Sequence, residues 1–279
     1  MEFNQIEKDY LIPINEGDYD KMFELGYYYQ NIEQNYEEMK RYYLMAVNYG
    51  ESKAMYNLGY YYQYIEQNYE EMKRYYLMAI DKDNINALCA LGYYYQNIEQ
   101  NYEQMKIYYL MAINKEDPKA MYNLGYYYQH IEKNYEEMKR YYLMAIDKGY
   151  FNTLCALGYY YKNIEKDYNK MKKYYLMAID KGNSDAMFAL GYYYQDIKKD
   201  YNKMEKYYLM AIDKGNTKAM YELGSYYYNN KNIINMLVYF SMAIENNTEY
   251  NKEHIITILA NYYENIDNNT LAKKYYYML

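Results

Sequence analysis

The chain has 279 residues, a net charge of −7, two cysteines and 54 tyrosines with no tryptophan. That length allows one large domain or one repeat array; no apolar run approaches the ~20 residues of a membrane-spanning helix, and the acidic, polar opening MEFNQIEKDY is not a secretory signal. Cys89 and Cys155 lie far apart in sequence, which argues against a disulfide framework, so the expected compartment is a reducing one, the cytoplasm.

Lysine, asparagine, isoleucine, tyrosine and methionine are written largely by A/T-rich codons. That accounts for the number of tyrosines but not for their fixed positions. Among 31 basic residues only Arg41, Arg74 and Arg140 are arginine. Residues 1–149 carry a net charge of −9 and residues 150–279 carry +2. Neither half is basic enough for a general phosphate-binding surface.

In chain order, residues 1–17 end in YLIPINEG, which aligns with YLMAIDKG at 175–182. They read as an N-terminal half-unit cap, with Pro13 expected to shorten or kink the helix. A glycine ladder then runs through Gly26, Gly59, Gly92, Gly125, Gly158, Gly191 and Gly224, every interval being 33 residues. The other five glycines, Gly17, Gly50, Gly149, Gly182 and Gly215, each fall nine residues earlier. All twelve therefore fill two positions of one repeat, and internal repetition at this period signals a stacked array. The predicted units are 18–50, 51–83, 84–116, 117–149, 150–182, 183–215 and 216–247. A divergent C-terminal capping unit follows at 248–279, with Ala260 at the ladder position.

Within unit 51–83 the spacing predicts one helix from Ser52 to about Tyr64 and a second from about Tyr69 to Ile80, joined by the short polar turn IEQN, which makes them antiparallel. Ala54, Met55, Leu58, Gly59, Tyr62 and Ile65 form the apolar stripe of the first helix; Tyr69, Met72, Tyr76, Ala79 and Ile80 form that of the second. A mid-helix glycine costs about 1 kcal/mol relative to alanine, so its recurrence implies a close approach of the neighbouring helix. Glu70 and Arg74 are spaced for a surface pair. The glycine at the unit boundary suits the left-handed residue that ends a helix. Asp83 and Glu116 replace it in two units, and those ends are expected to be less well capped.

In unit 183–215 the residues Ala186, Leu190, Gly191, Tyr194, Tyr201, Met204, Tyr207, Tyr208, Ala211 and Gly215 carry a pattern that resembles the Sel1-like repeat (SLR), a branch of the tetratricopeptide-like (TPR) superfamily. The resemblance extends over almost the whole chain, with a shorter turn between the helices than the family's and methionine in place of its small residue early in helix two. It implies an all-α solenoid of antiparallel helix pairs wound into a right-handed superhelix, with adaptor or assembly roles. Tyr-, Asn- and Lys-rich arrays of this kind also resemble proteins of large AT-rich DNA viruses of amoebae, which implies the host cytoplasm or the virion.

The motif LGYYYQ places three tyrosines about 100° apart around a helix. Tyr62 falls on the core stripe, Tyr61 on the flank where the next unit stacks, and Tyr60 on the third face. By resemblance to the superfamily that third face lines the concave side. The candidate groove residues are Tyr60, Gln63, Tyr93, Gln96, Tyr126, Gln129, Tyr159, Tyr192 and Gln195, with Ser225 at the ladder's end. Tyrosine offers large contact area at low entropic cost, and side-chain amides both donate and accept, as an extended peptide backbone requires.

No catalytic, cofactor or metal site is expected. His130 and His254 show no ligand spacing, there is no phosphate-cradling glycine loop, and repeated acids such as Glu37 and Glu38 read as solvated surface. Cys89 and Cys155 share a repeat position and read as small, partly buried residues. The leading expectation is a non-enzymatic scaffold whose partner is a protein or peptide. The alternatives are a structural, self-associating repeat protein such as a virion component and a single-stranded nucleic-acid-binding solenoid, against which the acidic balance argues. No membrane partner is expected.

Overall fold

Residues 19–246 and 248–279 are described in the computed structural model; the half-unit predicted at 1–17, with Pro13, lies outside them. Among the described residues there are sixteen α-helices and no strand. The chain divides into two compact units, Met1–Tyr150 and Phe151–Leu279.

In the first unit the hairpins are α1 (Tyr19–Asn31) with α2 (Tyr36–Asn48), α3 (Ser52–Tyr64) with α4 (Tyr69–Ile80), α5 (Ile85–Asn97) with α6 (Tyr102–Asn114), and α7 (Pro118–Tyr127) with α8 (Tyr135–Asp147). In the second they are α9 (Asn152–Asn163) with α10 (Tyr168–Asp180), α11 (Ser184–Tyr193) with α12 (Tyr201–Ile212), α13 (Thr217–Asn229) with α14 (Ile233–Glu245), and α15 (Lys252–Asn265) with α16 (Asn269–Tyr276). Helices α7 and α11 widen into π turns at Tyr128–Glu132 and Tyr194–Lys198.

The turns explain why every hairpin has the same shape. Asn68 accepts the Glu71 N–H and so caps α4, as Asn35, Asn101, Asn134, Asp167, Asp200 and Asn232 cap their own second helices. Such caps are each worth about 1 kcal/mol. The residue before each cap bends left-handed, for example Gln67 at φ 54° and Lys199 at φ 54°.

The boundary positions differ from expectation. Gly149 at φ 85° and Gly182 at φ 79° are left-handed, but so are Asp83 at φ 60° and Glu116 at φ 61°. Their closing hydrogen bonds match the glycine ends: Asp83 N–H donates to the Ile80 carbonyl at 2.9 Å, as Gly149 N–H does to that of Ile146 at 2.9 Å. The acids gain partners one repeat on, Asp83 with Lys115 at 2.6 Å and Glu116 with Lys148 at 2.7 Å. These ends are capped as fully as the others.

The ladder glycines mark the tightest contact in each hairpin. A Cβ on Gly59 would lie 2.5 Å from Tyr76 Cδ1, and one on Gly125 would lie 2.5 Å from Tyr142 Cδ1. Tyr43, Tyr76, Tyr109, Tyr142 and Tyr208 are fully buried there, and Phe240 takes the same place against Gly224. The hydroxyls of these five tyrosines each have a partner: Tyr76 donates to Gln63 Oε1 at 2.9 Å and Tyr142 to Gln129 Oε1 at 2.7 Å.

The other two tyrosines of the motif hold hairpins shut and hairpins together. Tyr62 is half-buried and stacks on Tyr75 at 5.5 Å with the rings 3° from parallel; Tyr128–Tyr141 and Tyr194–Tyr207 repeat this geometry. Tyr61 is the more deeply buried of the two and packs against Tyr36 of the preceding hairpin. Its hydroxyl donates to Glu66 at 2.7 Å, and Lys40 of that hairpin reaches the same carboxylate at 3.2 Å. Lys73–Glu99 and Lys106–Glu132 repeat the bridge. In the second unit Glu205 stands where the lysine was and accepts from Tyr227, while the turn is one residue shorter and Lys231 is the left-handed residue before the Asn232 cap.

Two further expectations are corrected. Ile65 is half exposed, as are Ile98, Ile131 and Ile164, because α3 and its counterparts end before this residue can turn inward. Arg74 pairs with Glu71 at 3.1 Å rather than with Glu70, whose oxygen lies 3.9 Å from Lys73.

Candidate functional site: the ladder face of the first helices

The ladder tyrosines stay exposed while their neighbours are buried. In the first unit Tyr60, Tyr93 and Tyr126 are 42%, 47% and 41% exposed; in the second, Tyr159 and Tyr192 are 55% and 36% exposed. The cause is local: α3 turns Tyr61 to the seam and Tyr62 onto Tyr75, leaving Tyr60 the open face.

In the first unit a depression of about 210 Å³ brings Tyr60, Gln63 and Tyr93 together with Tyr56, Tyr64, Tyr76, Asn86, Cys89, Ala90 and Lys119. Tyr60 and Tyr64 lie ring to ring at 4.5 Å, and Tyr126 packs on His130 at 4.1 Å. Burial holds His130 below the ordinary histidine range, so its ring is neutral near pH 7.

The glutamines stand differently from the tyrosines. Gln63 and Gln129 are buried, and Gln96 and Gln195 half-buried. Each accepts from a tyrosine thirteen residues on: Gln96 from Tyr109 at 3.2 Å and Gln195 from Tyr208 at 2.6 Å, beside the Gln63 and Gln129 bonds above. Their amide oxygens are therefore held by the hairpin, which leaves the N–H groups as the donors they can offer the face. Sequence reasoning missed this bond; the constant thirteen-residue spacing was the signal.

In the second unit Lys162 stands in the glutamine register and lies 4.7 Å above the Tyr192 ring. Burial lowers its pKa. Cys89 donates to Asp117 at 3.3 Å and Cys155 to Asn183 at 3.2 Å. Burial raises both thiols, Cys155 to about 11, so neither is a thiolate at neutral pH. Among the described residues no three His, Cys, Asp or Glu side chains converge in a metal-binding group, and no helix is long and apolar enough to cross a membrane.

No protein-family model matches this sequence, and no curated protein matches it. Solved structures do. A protective antigen of uropathogenic Escherichia coli, c5321, described as displaying an SLR fold, superposes with a TM-score of 0.59 at 22% identity over 94% of this chain. The fold is that of Sel1-like repeat proteins. This chain covers 61% of that antigen's length. A Sel1 repeat protein from Oxalobacter formigenes superposes with a TM-score of 0.55 at 25% identity, over 74% of this chain and 89% of the other. Human IFIT1, solved as a dimer with PPP-AAAA, shares the helical-repeat architecture at 14% identity and a TM-score of 0.51, over 92% of this chain and 61% of its own.

Proposed function

We propose that this chain is a non-enzymatic interaction scaffold that holds extended polypeptide along the ladder face of each compact unit. The observation that carries the reading is the exposure of one tyrosine at the same register in successive hairpins, each beside tyrosines that the fold buries. Rings at fixed spacing with amide donors between them suit a backbone with alternating donors and acceptors. Near-identical positions favour a repetitive or weakly sequence-selective ligand. The Sel1-like fold supports a protein partner; fold alone does not name it. The Tyr-, Asn- and Lys-rich composition is the support for placing the chain with repeat proteins of large AT-rich DNA viruses, in host cytoplasm or virion.

The test is the double variant Tyr93→Ala with Tyr126→Ala in the first unit, studied by affinity capture and circular dichroism. Both side chains are exposed, so helicity should hold. Capture should be lost, since central aromatic anchors contribute about 2 kcal/mol or more each when they are hot spots. Binding should change little with salt, because the face carries few charges; a steep salt dependence would instead favour nucleic acid. Undiminished capture by the double variant refutes the groove.

A further inference from the structure

The tyrosine ladder breaks at Ser225. Six preceding positions, Tyr27 to Tyr192, carry a ring there. In the second compact unit the missing ring leaves a cavity of about 530 Å³ lined by Gln195, Tyr201, Tyr221, Glu222, Ser225 and Tyr226, among others. The Ser225 hydroxyl is buried without a hydrogen-bond partner.

Glu222 is the second departure in the same turn of α13. The equivalent residues Asn57, Ala90, Asn123, Ala156 and Ala189 are neutral, and Glu24, at the same register of α1, is exposed and paired with Lys21 at 2.6 Å. Glu222 is partly buried, and no lysine or arginine among the described residues pairs with it. Its partners are neutral: the Tyr250 hydroxyl at 3.3 Å and the amide of Gln195. Lys199 also lines the cavity, and its ammonium lies 3.9 Å from the Asp196 carboxylate. A carboxylate taken out of water without a counter-charge is costly, and burial accordingly raises the Glu222 carboxyl above its ordinary range.

We propose that this cavity binds a primary alkylammonium group, with its charge against Glu222 and its stem along Tyr201, Tyr221 and Tyr226. An ammonium has three donors in a tetrahedral set, and the acceptors in the lining include Glu222, the Ser225 hydroxyl and the side-chain carbonyls of Asn229, Asn230 and Asn251. The tyrosine faces attract a cation, and a guanidinium bound through both carboxylate oxygens would share one of them with Tyr250. The lysine side chain of a peptide is the matching natural group.

The full chain is titrated with Nα-acetyl-lysine methylamide while backbone amide shifts are followed, with the norleucine counterpart as neutral control. Saturable shifts at Glu222 and Ser225 are expected with the lysine compound and none with norleucine. Glu222→Gln, which removes the charge, and Ser225→Tyr, which restores the ring, should each weaken binding by about tenfold or more, as loss of a charge-assisted contact does. Circular dichroism checks that both variants keep their helices. Equal binding of the norleucine compound, absence of saturable shifts at these residues, or undiminished binding to either variant overturns the proposal. Because the probe is a small molecule, a ladder face that captures no polypeptide leaves this result untouched.

Discussion

At the ladder position two neighbouring hairpins in the second unit differ by one methyl group, Gly224 against Ala260. In α13–α14, Gly224 leaves room for Phe240, whose Cδ1 would lie 2.5 Å from an added Cβ and which is fully buried. In α15–α16, Ala260 brings that methyl group. Tyr276, the counterpart of Phe240, is 39% exposed, and its hydroxyl donates to Asn261 at 3.1 Å or Glu264 at 2.8 Å. The stacked pair beside it persists: Tyr263 on Tyr275 at 5.7 Å, as Tyr227 on Tyr239 at 5.7 Å. The glycine ladder thus decides one thing, whether an aromatic ring of the second helix lies inside the hairpin or on it.

The comparison breaks most sharply at the ladder itself. Gly125→Leu should lower stability by about 1–3 kcal/mol or more through overpacking against Tyr142, while leucine at the exposed Lys133 should cost far less; thermal unfolding reads both. Gly224→Ala should reproduce the terminal hairpin inside the array, with the Phe240 ring signals becoming solvent-exposed. A Gly125→Leu protein that melts like the parent would mean that the glycine lies at no contact.

A smaller effect separates the two rings by their hydroxyls. Tyr142→Phe leaves the buried Gln129 amide without its donor and should cost about 1–3 kcal/mol. Tyr276→Phe removes an exposed hydroxyl and should stay within about 0.5 kcal/mol. Equal losses in chemical denaturation would remove the distinction between inside and outside.

The smallest effect is one of pH. Tyr61 and Lys40 hold the Glu66 carboxyl below its ordinary value, and Lys73 and Tyr94 do the same for Glu99. A lowered carboxyl pKa stabilises the fold above the unfolded-state value and loses that contribution as pH falls through the folded one. Leu237 stands where Lys40 and Lys73 stand, so the last seam lacks that lysine. Below about pH 4.5 the melting temperature of the parent should therefore drop more than that of a Glu66→Gln, Glu99→Gln variant. Parallel pH profiles would show that the seam ion pairs add nothing.

Much of this was legible in the sequence because a repeat states its contacts many times over. The 33-residue glycine interval gave the helix pairs, and three consecutive tyrosines at helical spacing gave three faces. What stayed hidden depended on the crossing of two helices. That Tyr76 would point back to Gln63, and that Tyr61 would sink deeper than Tyr62, follow from where α4 lies on α3 and not from either helix alone. Ile65 misled because an apolar residue in phase with a stripe looks buried until the helix stops short of it. Glu116 misled because its sequence shows a missing glycine but not the lysine, one repeat away, that closes on it. Ser225 was visible as a break in a ladder; that Glu222 lined the space it opened was not.

The parallel ring pairs have an optical consequence. Tyr62–Tyr75, Tyr95–Tyr108 and Tyr128–Tyr141 place two identical chromophores 5.5 to 5.6 Å apart with parallel ring planes, Tyr61, Tyr94 and Tyr127 stand beside them turned by 67° to 72°, and no tryptophan is present to drain the excitation. Their transition dipoles couple, so absorbed light migrates along the array before it is emitted. The folded chain should show depolarised tyrosine fluorescence and an excitonic near-ultraviolet dichroism that vanish together when the hairpins open, an intrinsic gauge of stacking that needs no attached dye.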